Sequence, residues 1–129
     1  METQPIYMTQ GRAVEAYKVL LRLSNQEMDA LAAWNLYQAR QALESRFKFQ
    51  LEQENALLES VHAAVNPDGT VRFEKEADEA LFREKMRSLS QMDAPYTGPA
   101  VILSARSGLR LTPNEIAALE GILTLRDAE

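Results

Sequence analysis

The chain contains no cysteine, a single histidine and only five glycines, and these absences remove several classes of chemistry. Without cysteine there can be no disulfide, no thiolate nucleophile and no cysteine-ligated metal centre. The glycines never form the closely spaced group that cradles phosphate. With one histidine, the usual general bases are scarce. We therefore identify no catalytic residue and no cofactor site, and the sequence favours a protein that is not an enzyme.

Long apolar runs and dense basic clusters are also missing from the sequence. No apolar run approaches the ~20 residues that span a bilayer, and residues 1–7 lack the basic and apolar regions of a secretory signal. The formal net charge is −5. The densest basic stretch, 83–87, follows an acidic one, an order that complements a helix dipole. We expect a cytoplasmic protein without a membrane partner, and the absence of a basic cluster disfavours nucleic-acid binding.

The residues that are present predict one domain, 1–129, of mainly α class (α+β with minor short strands). The chain is 46% hydrophobic and 26% charged, as is usual for a folded domain of this length. Apolar positions recur every three or four residues through most of it, which is typical of amphipathic helices. The pattern predicts helices at 11–23, 25–65, 75–92 and 113–126, a turn at 66–69, and a loop with short strands at 93–111.

The predicted helix at 25–65 is long for so small a protein. Ser24-Asn25-Gln26-Glu27 has the form of a capping box at its start, and no glycine or proline follows before Asn66. The roughly 38 residues that follow this motif, 28–65, extend ~57 Å, whereas a compact domain of this size is only ~36 Å across. We expect shorter helices to fold back on this long central helix, and its excess length predicts an elongated shape or a partner.

Glu59 and His62 are the only candidates for a metal site, and they are weak ones. Their Glu-x-x-His spacing would place both side chains on one face of a helix, as in di-iron bundles. Such a site needs two of these motifs, which only a dimer of this chain could supply. A boundary histidine is the simpler interpretation, so no metal or other cofactor is expected.

Six residues of the long helix are candidates for an interface. Arg46, Gln50 and Glu54 interrupt its apolar arc at four-residue steps, either as the uncovered gap between two packed helices or as a polar patch that sets the register of a dimer. Trp34, Tyr37 and Phe49 lie off the main apolar stripe. Aromatic residues are enriched at interface hot spots, although burial against the C-terminal segment would explain them equally well.

Packing and turn motifs follow one another in a characteristic order along nearly the whole chain. They include Ala13-Val14-Glu15-Ala16-Tyr17, Asp68-Gly69-Thr70, Phe82-Arg83-Glu84, Leu111-Thr112-Pro113 and Ala118-Leu119-Glu120. This order resembles a family of small, functionally uncharacterised phage- and prophage-encoded helical proteins. The resemblance implies an accessory role in the cytoplasm of a bacterial host, and it contributes no active-site residue.

The preferred functional hypothesis is a non-enzymatic accessory protein that binds a protein partner or itself, with a homodimer possible. Two alternatives remain open at this stage. One is a small metal-binding helical protein that uses Glu59 and His62 across a dimer. The other is a phage protein associated with nucleic acid.

Overall fold

The computed structural model describes residues 6–104 and 108–126, and it shows a mainly α protein built on one long helix. Shorter helices and four short strands pack against that helix, as the sequence predicts. The elements are α1 (Gln10–Leu23), α2 (Ala30–Ser60), β1 (Ala64–Val65), β2 (Val71–Arg72), α3 (Glu76–Ser90), β3 (Val101–Ser104), α4 (Pro113–Ala118) and β4 (Leu123–Arg126).

Helix α1 packs antiparallel to the first half of α2 and forms the centre of the core. The hydroxyl of Thr9 accepts from the Arg12 N–H at 3.3 Å and begins the helix. Small and branched residues at three- and four-residue steps then face inward. The core cluster joins α1, the first half of α2 and the C-terminal segment through Ala13, Ala16, Leu20, Leu23, Ala32, Leu36, Ala39, Leu43, Val101, Leu103, Leu119 and Ile122.

The predicted start of the long helix at residue 25 is wrong. Ser24 is helical (φ −62°, ψ −17°) and ends α1, and its hydroxyl donates to the Leu20 carbonyl at 2.7 Å. A capping box needs an extended residue at this position, so the Ser24–Glu27 motif cannot act as one. Asp29 caps α2 instead, since its carboxylate accepts from the Ala32 N–H at 2.9 Å.

The predicted end at residue 65 is also wrong, because α2 stops at Ser60. His62 adopts a left-handed conformation (φ 55°), and the Ala63 N–H reaches back to the Leu58 carbonyl at 3.0 Å. This is the usual geometry of a helix C-terminus, although glycine commonly occupies the left-handed position. The 31 residues of α2 still extend ~46 Å, longer than the ~36 Å of a compact domain.

A hairpin follows α2 and confirms the predicted turn at 66–69. Strands β1 and β2 pair antiparallel, with Val65 opposite Val71. The Asp68 carboxylate accepts from the Thr70 N–H at 2.9 Å and from its hydroxyl at 2.6 Å. These hydrogen bonds to the charged form lower the pKa of Asp68.

The second half of α2 and helix α3 form an arm with its own small apolar cluster. Leu58 and Val61 are buried, and the rings of Phe73 and Phe82 lie 5.5 Å apart. Neither Leu58 nor Val61 belongs to the core cluster around α1. Helix α3 begins and ends within two residues of its predicted bounds, 75–92.

The C-terminal segment departs most from prediction, because the expected helix at 113–126 ends at Ala118. Gly121 has φ 88°, which breaks the helix, and β4 then pairs parallel with β3. The register places Val101 beside Leu123 and Leu103 beside Leu125. Alternation of Leu123, Thr124 and Leu125 fits a strand, and β3 supplies an edge that periodicity alone does not reveal.

Arg22 of α1 fastens the short helix α4 to the rest of the fold. Its guanidinium donates to both carboxylate oxygens of Glu115 and, at 2.9 Å, to the Arg110 carbonyl. Glu115 also completes a capping box with Thr112. The Arg22 and Thr112 hydrogen bonds hold the pKa of Glu115 below its ordinary value of 4.5.

Replacing His62 with glycine is expected to stabilise the protein by about 1 kcal/mol, because glycine adopts the left-handed conformation without a Cβ clash. Urea denaturation measures the change. His62→Ala is the matched control, since alanine retains the Cβ and removes only the ring. Equal stability of the glycine and alanine variants would show that the φ of 55° does not limit the native state.

Glu115→Gln is expected to destabilise the fold at neutral pH by roughly 1 kcal/mol, since it weakens both the ion pair and the cap. A carboxyl whose pKa is lowered by folding stabilises the native state above its unfolded pKa, and that contribution disappears as the pH falls through the folded pKa. The difference between wild type and variant should therefore shrink below pH 4.5. Denaturation midpoints measured from neutral to acidic pH test this, and a constant difference contradicts it.

Candidate interaction surface

A group of large apolar side chains lies exposed on the first half of α2. Leu31 is 69% exposed, Trp34 56% and Tyr37 41%. They follow one another at three-residue steps, so they are neighbours along one side of the helix. Together with Arg40, one turn further on, they are called the α2 patch here. The structure therefore places the predicted residues Trp34 and Tyr37 at the surface rather than beneath the C-terminal segment.

Contacts within the α2 patch hold its side chains in place. The ring centroids of Trp34 and Tyr37 lie 6.1 Å apart, and the Arg40 guanidinium carbon lies 5.5 Å from the Tyr37 centroid. The Gln41 amide donates to the Tyr37 hydroxyl at 2.7 Å. Tyr37 is therefore held by contacts to Trp34, Arg40 and Gln41.

A shallow depression of about 150 Å³ borders the α2 patch. Tyr37 and Arg40 form one wall, and the chain between α1 and α2 supplies most of the other. Its lining combines apolar groups with the side chains of Ser24 and Gln26. A depression of this size accommodates about one side chain, so the patch offers a small pocket beside a flat aromatic surface.

Arg46, Gln50 and Glu54 are half-buried along α2, beside the place where α1 and the end of α3 meet it. Gln10, 2% exposed at the start of α1, donates its amide to the Arg46 carbonyl at 2.7 Å and to Gln50 Oε1 at 3.3 Å. Gln50 and Glu54 line a groove that α1 and the end of α3 also border. This groove between α1 and α3 corresponds to the gap between two packed helices that was one of the two interpretations from the sequence.

Gln10 is the buried polar residue that sequence analysis missed. Its backbone N–H also donates to the Met92 carbonyl at 2.7 Å, so this one residue joins α1, α2 and the chain after α3. Nothing in its neighbourhood distinguishes it from an exposed glutamine of a first helical turn. Only the three-helix arrangement reveals that it is enclosed.

The other predicted site residues are not brought together. Phe49, 37% exposed, lies fifteen residues beyond Trp34, or ~22 Å along α2. Glu59 is in the last turn of α2, whereas His62 has left the helix in a left-handed conformation. The premise that both share one helical face is therefore wrong. In the described ranges, no group of three or more histidine, aspartate or glutamate side chains is placed to hold a metal ion.

Comparison of the chain with protein-family models, with curated proteins and with solved structures found no match. The surface must therefore be interpreted from its own geometry. Among residues 6–104 and 108–126, none of the helices combines the length and apolar character needed to cross a lipid bilayer.

Gln10→Glu is expected to destabilise the protein by about 3 kcal/mol at neutral pH, because a buried carboxylate would face two oxygen acceptors. Its pKa should rise on folding, so the penalty should diminish as the pH falls and the carboxyl is protonated. Gln10→Met keeps the volume without the charge and should lose only about 1 kcal/mol. Chemical denaturation at neutral and acidic pH tests both, and equal losses for the two variants at neutral pH would show that a carboxylate at position 10 is not buried away from water.

Proposed function

We propose that this chain is a non-enzymatic accessory protein, of phage or prophage origin and acting in the bacterial cytoplasm, that docks a partner protein on the α2 patch. The phage context rests on the sequence resemblance alone. The docking surface rests on one observation: Leu31 and Trp34 are more than half exposed on a helix whose opposite face is fully packed. Exposed contiguous apolar surface of this kind is typical of interaction sites.

The chemistry of the α2 patch supports a protein partner rather than a small ligand. Tryptophan, tyrosine and arginine are the residue types most enriched at interface hot spots. The neighbouring depression is open and too small to enclose a metabolite, whereas it suits one protruding side chain. Arg40 is the charged member of the patch, so the partner surface is expected to be apolar with an acidic group nearby.

A homodimer formed through this same patch is less well supported. Parallel two-fold pairing of the patches would bring the Arg40 side chains of the two copies together. Like charges in apposition disfavour association. A partner of different sequence avoids this conflict.

Trp34→Ala is expected to weaken partner binding by at least ~30-fold, the effect of a hot-spot truncation, while changing stability by less than ~0.5 kcal/mol. Proteins retained from the host by the immobilised wild-type chain, and lost with Trp34→Ala, are the candidates for measurement. Titration of each purified candidate then gives the affinity. Lys48→Ala, an exposed change on the same helix, is the matched control and should bind like wild type.

Trp34 also provides a direct readout, because it is the only tryptophan in the chain. At 56% exposure its fluorescence should be quenched readily by iodide in the free protein. Partner binding should shift its emission to shorter wavelength and reduce the quenching. A partner that binds tightly without altering Trp34 fluorescence must dock elsewhere, which would refute the proposed surface.

A further inference from the structure

The two-stranded sheet at the C-terminal end has a backbone edge that no described residue covers. The Val101 N–H donates to the Ile122 carbonyl at 2.9 Å, and Val101 lies beside Leu123 in the register. In a parallel ladder, alternate residues direct their peptide groups to the same neighbour. The peptide groups of residues 122, 124 and 126 therefore point towards β3 and hydrogen-bond to it. The peptide groups of Leu123 and Leu125 point away from β3.

Leu125 is the residue at which this edge is fully open. The N–H of Leu123 is already bonded to the Leu119 carbonyl at 2.8 Å. Within the described ranges, nothing pairs with the outward N–H and carbonyl of Leu125, and its side chain is 55% exposed. An isolated pair of strands is marginal in water, and an unpaired edge is a template for another strand.

An apolar groove of about 310 Å³ runs beside the open edge. Ile116 of α4, itself 43% exposed, faces Leu123 and Leu125 across it. A strand added at the edge would satisfy the Leu125 peptide groups and cover these side chains. Backbone pairing combined with a side-chain pocket is the usual form of strand addition.

We propose that a second copy of this chain occupies the edge, with β4 antiparallel to β4 around a two-fold axis at Leu125. In this register the N–H and carbonyl of each Leu125 pair with those of the other. The result is a four-stranded sheet with β3 strands outermost. One residue supplies both the donor and the acceptor, so the edge is complementary to itself.

The charges at the edge favour this antiparallel arrangement. Arg126 is the only charged residue of β4, and Glu120 lines the groove at the other end of the strand. Antiparallel pairing places each Arg126 opposite the neutral Thr124 of the second copy, towards the end that carries Glu120. Parallel pairing would instead bring the two Arg126 side chains together.

The interface is small, so the dimer is expected to be weak. With the axis at Leu125, the described residues that pair are Thr124, Leu125 and Arg126, and three residues a side is far below the roughly 20–30 of a standard stable interface. We therefore expect a dissociation constant on the order of 100 μM. This self-association is separate from partner docking on the α2 patch, and either can hold without the other.

Sedimentation of the full chain from about 5 μM to about 1 mM tests the proposal, and a monomer–dimer equilibrium is expected in that range. Leu125→Pro removes the outward N–H at a strand edge, where proline is tolerated, and should weaken the dimer at least ~10-fold. Lys48→Ala, an exposed change on α2 outside the proposed interface, should associate like wild type. A monomer throughout, or a dimer weakened by Trp34→Ala but not by Leu125→Pro, would overturn the proposal.

A cross-linking experiment keeps the test decisive if Leu125→Pro fails to fold. The natural chain has no cysteine, so Leu125→Cys introduces a single thiol. Directly opposed hydrogen-bonded residues of antiparallel strands have Cα atoms ~5.5 Å apart, within the range that a disulfide spans. Mild oxidation should link Leu125→Cys into dimers at least ~10-fold faster than Val65→Cys, which is similarly exposed on the distant hairpin. Equal rates would refute the proposed register.

Discussion

The structure depends on the close packing of α1 against the first half of α2. Alanines at positions 13, 16, 32 and 39 are buried where the helices meet, so the two backbones can approach closely. Larger side chains, such as Leu20 and Leu36, fill the space on either side. Because α2 is longer than this core, its second half and its outward face need other cover. Helix α3 packs against part of the second half of α2, and part of the outward face of its first half stays exposed as the α2 patch.

Gln10 is the point at which the core and the arm are joined. A buried amide at a three-way junction satisfies acceptors on α2 while its backbone bonds to the chain after α3. Close approach of the same elements explains why Gly11 lies against Ser90, where a Cβ would be only 3.0 Å from the serine Cβ. Polar contacts of this kind orient helices more specifically than apolar packing does, because an unpaired buried amide is destabilising.

Sequence reasoning identified the features that local physics determines. Apolar spacing located all four helices, and Asn66-Pro67-Asp68-Gly69 located the turn, because those signals lie within a few residues of what they specify. The same spacing placed Trp34 and Tyr37 off the main apolar stripe, but it left exposure and burial against the C-terminal segment equally open. The helix ends were harder to predict from the sequence. Ser24 satisfies the capping pattern in sequence but ends the preceding helix, and His62 occupies a left-handed position usually taken by glycine.

The remaining differences come from contacts between distant segments. Residues 123–126 carry a pattern compatible with either a helix end or a strand. They form a strand because they pair with β3, some twenty residues earlier in the chain. Burial of Gln10 likewise depends on contacts with α2 and with the chain after α3, both far from it in sequence. Neither contact leaves a local signal, so a single sequence predicts the helices of this fold better than its junctions and its candidate surfaces.

The two proposed surfaces are neighbours, and this has a consequence for how they would act together. Leu31 of the α2 patch and Arg126 of β4 line the same depression, of about 190 Å³, where α2 passes the sheet. A dimer formed at β4 would therefore carry two α2 patches in one assembly. A partner with two binding segments, or a partner that is itself oligomeric, would bind such a dimer with an avidity far above that of one patch. If both proposals hold, partner binding would be strongest where the local concentration of the protein is high enough for the dimer to form.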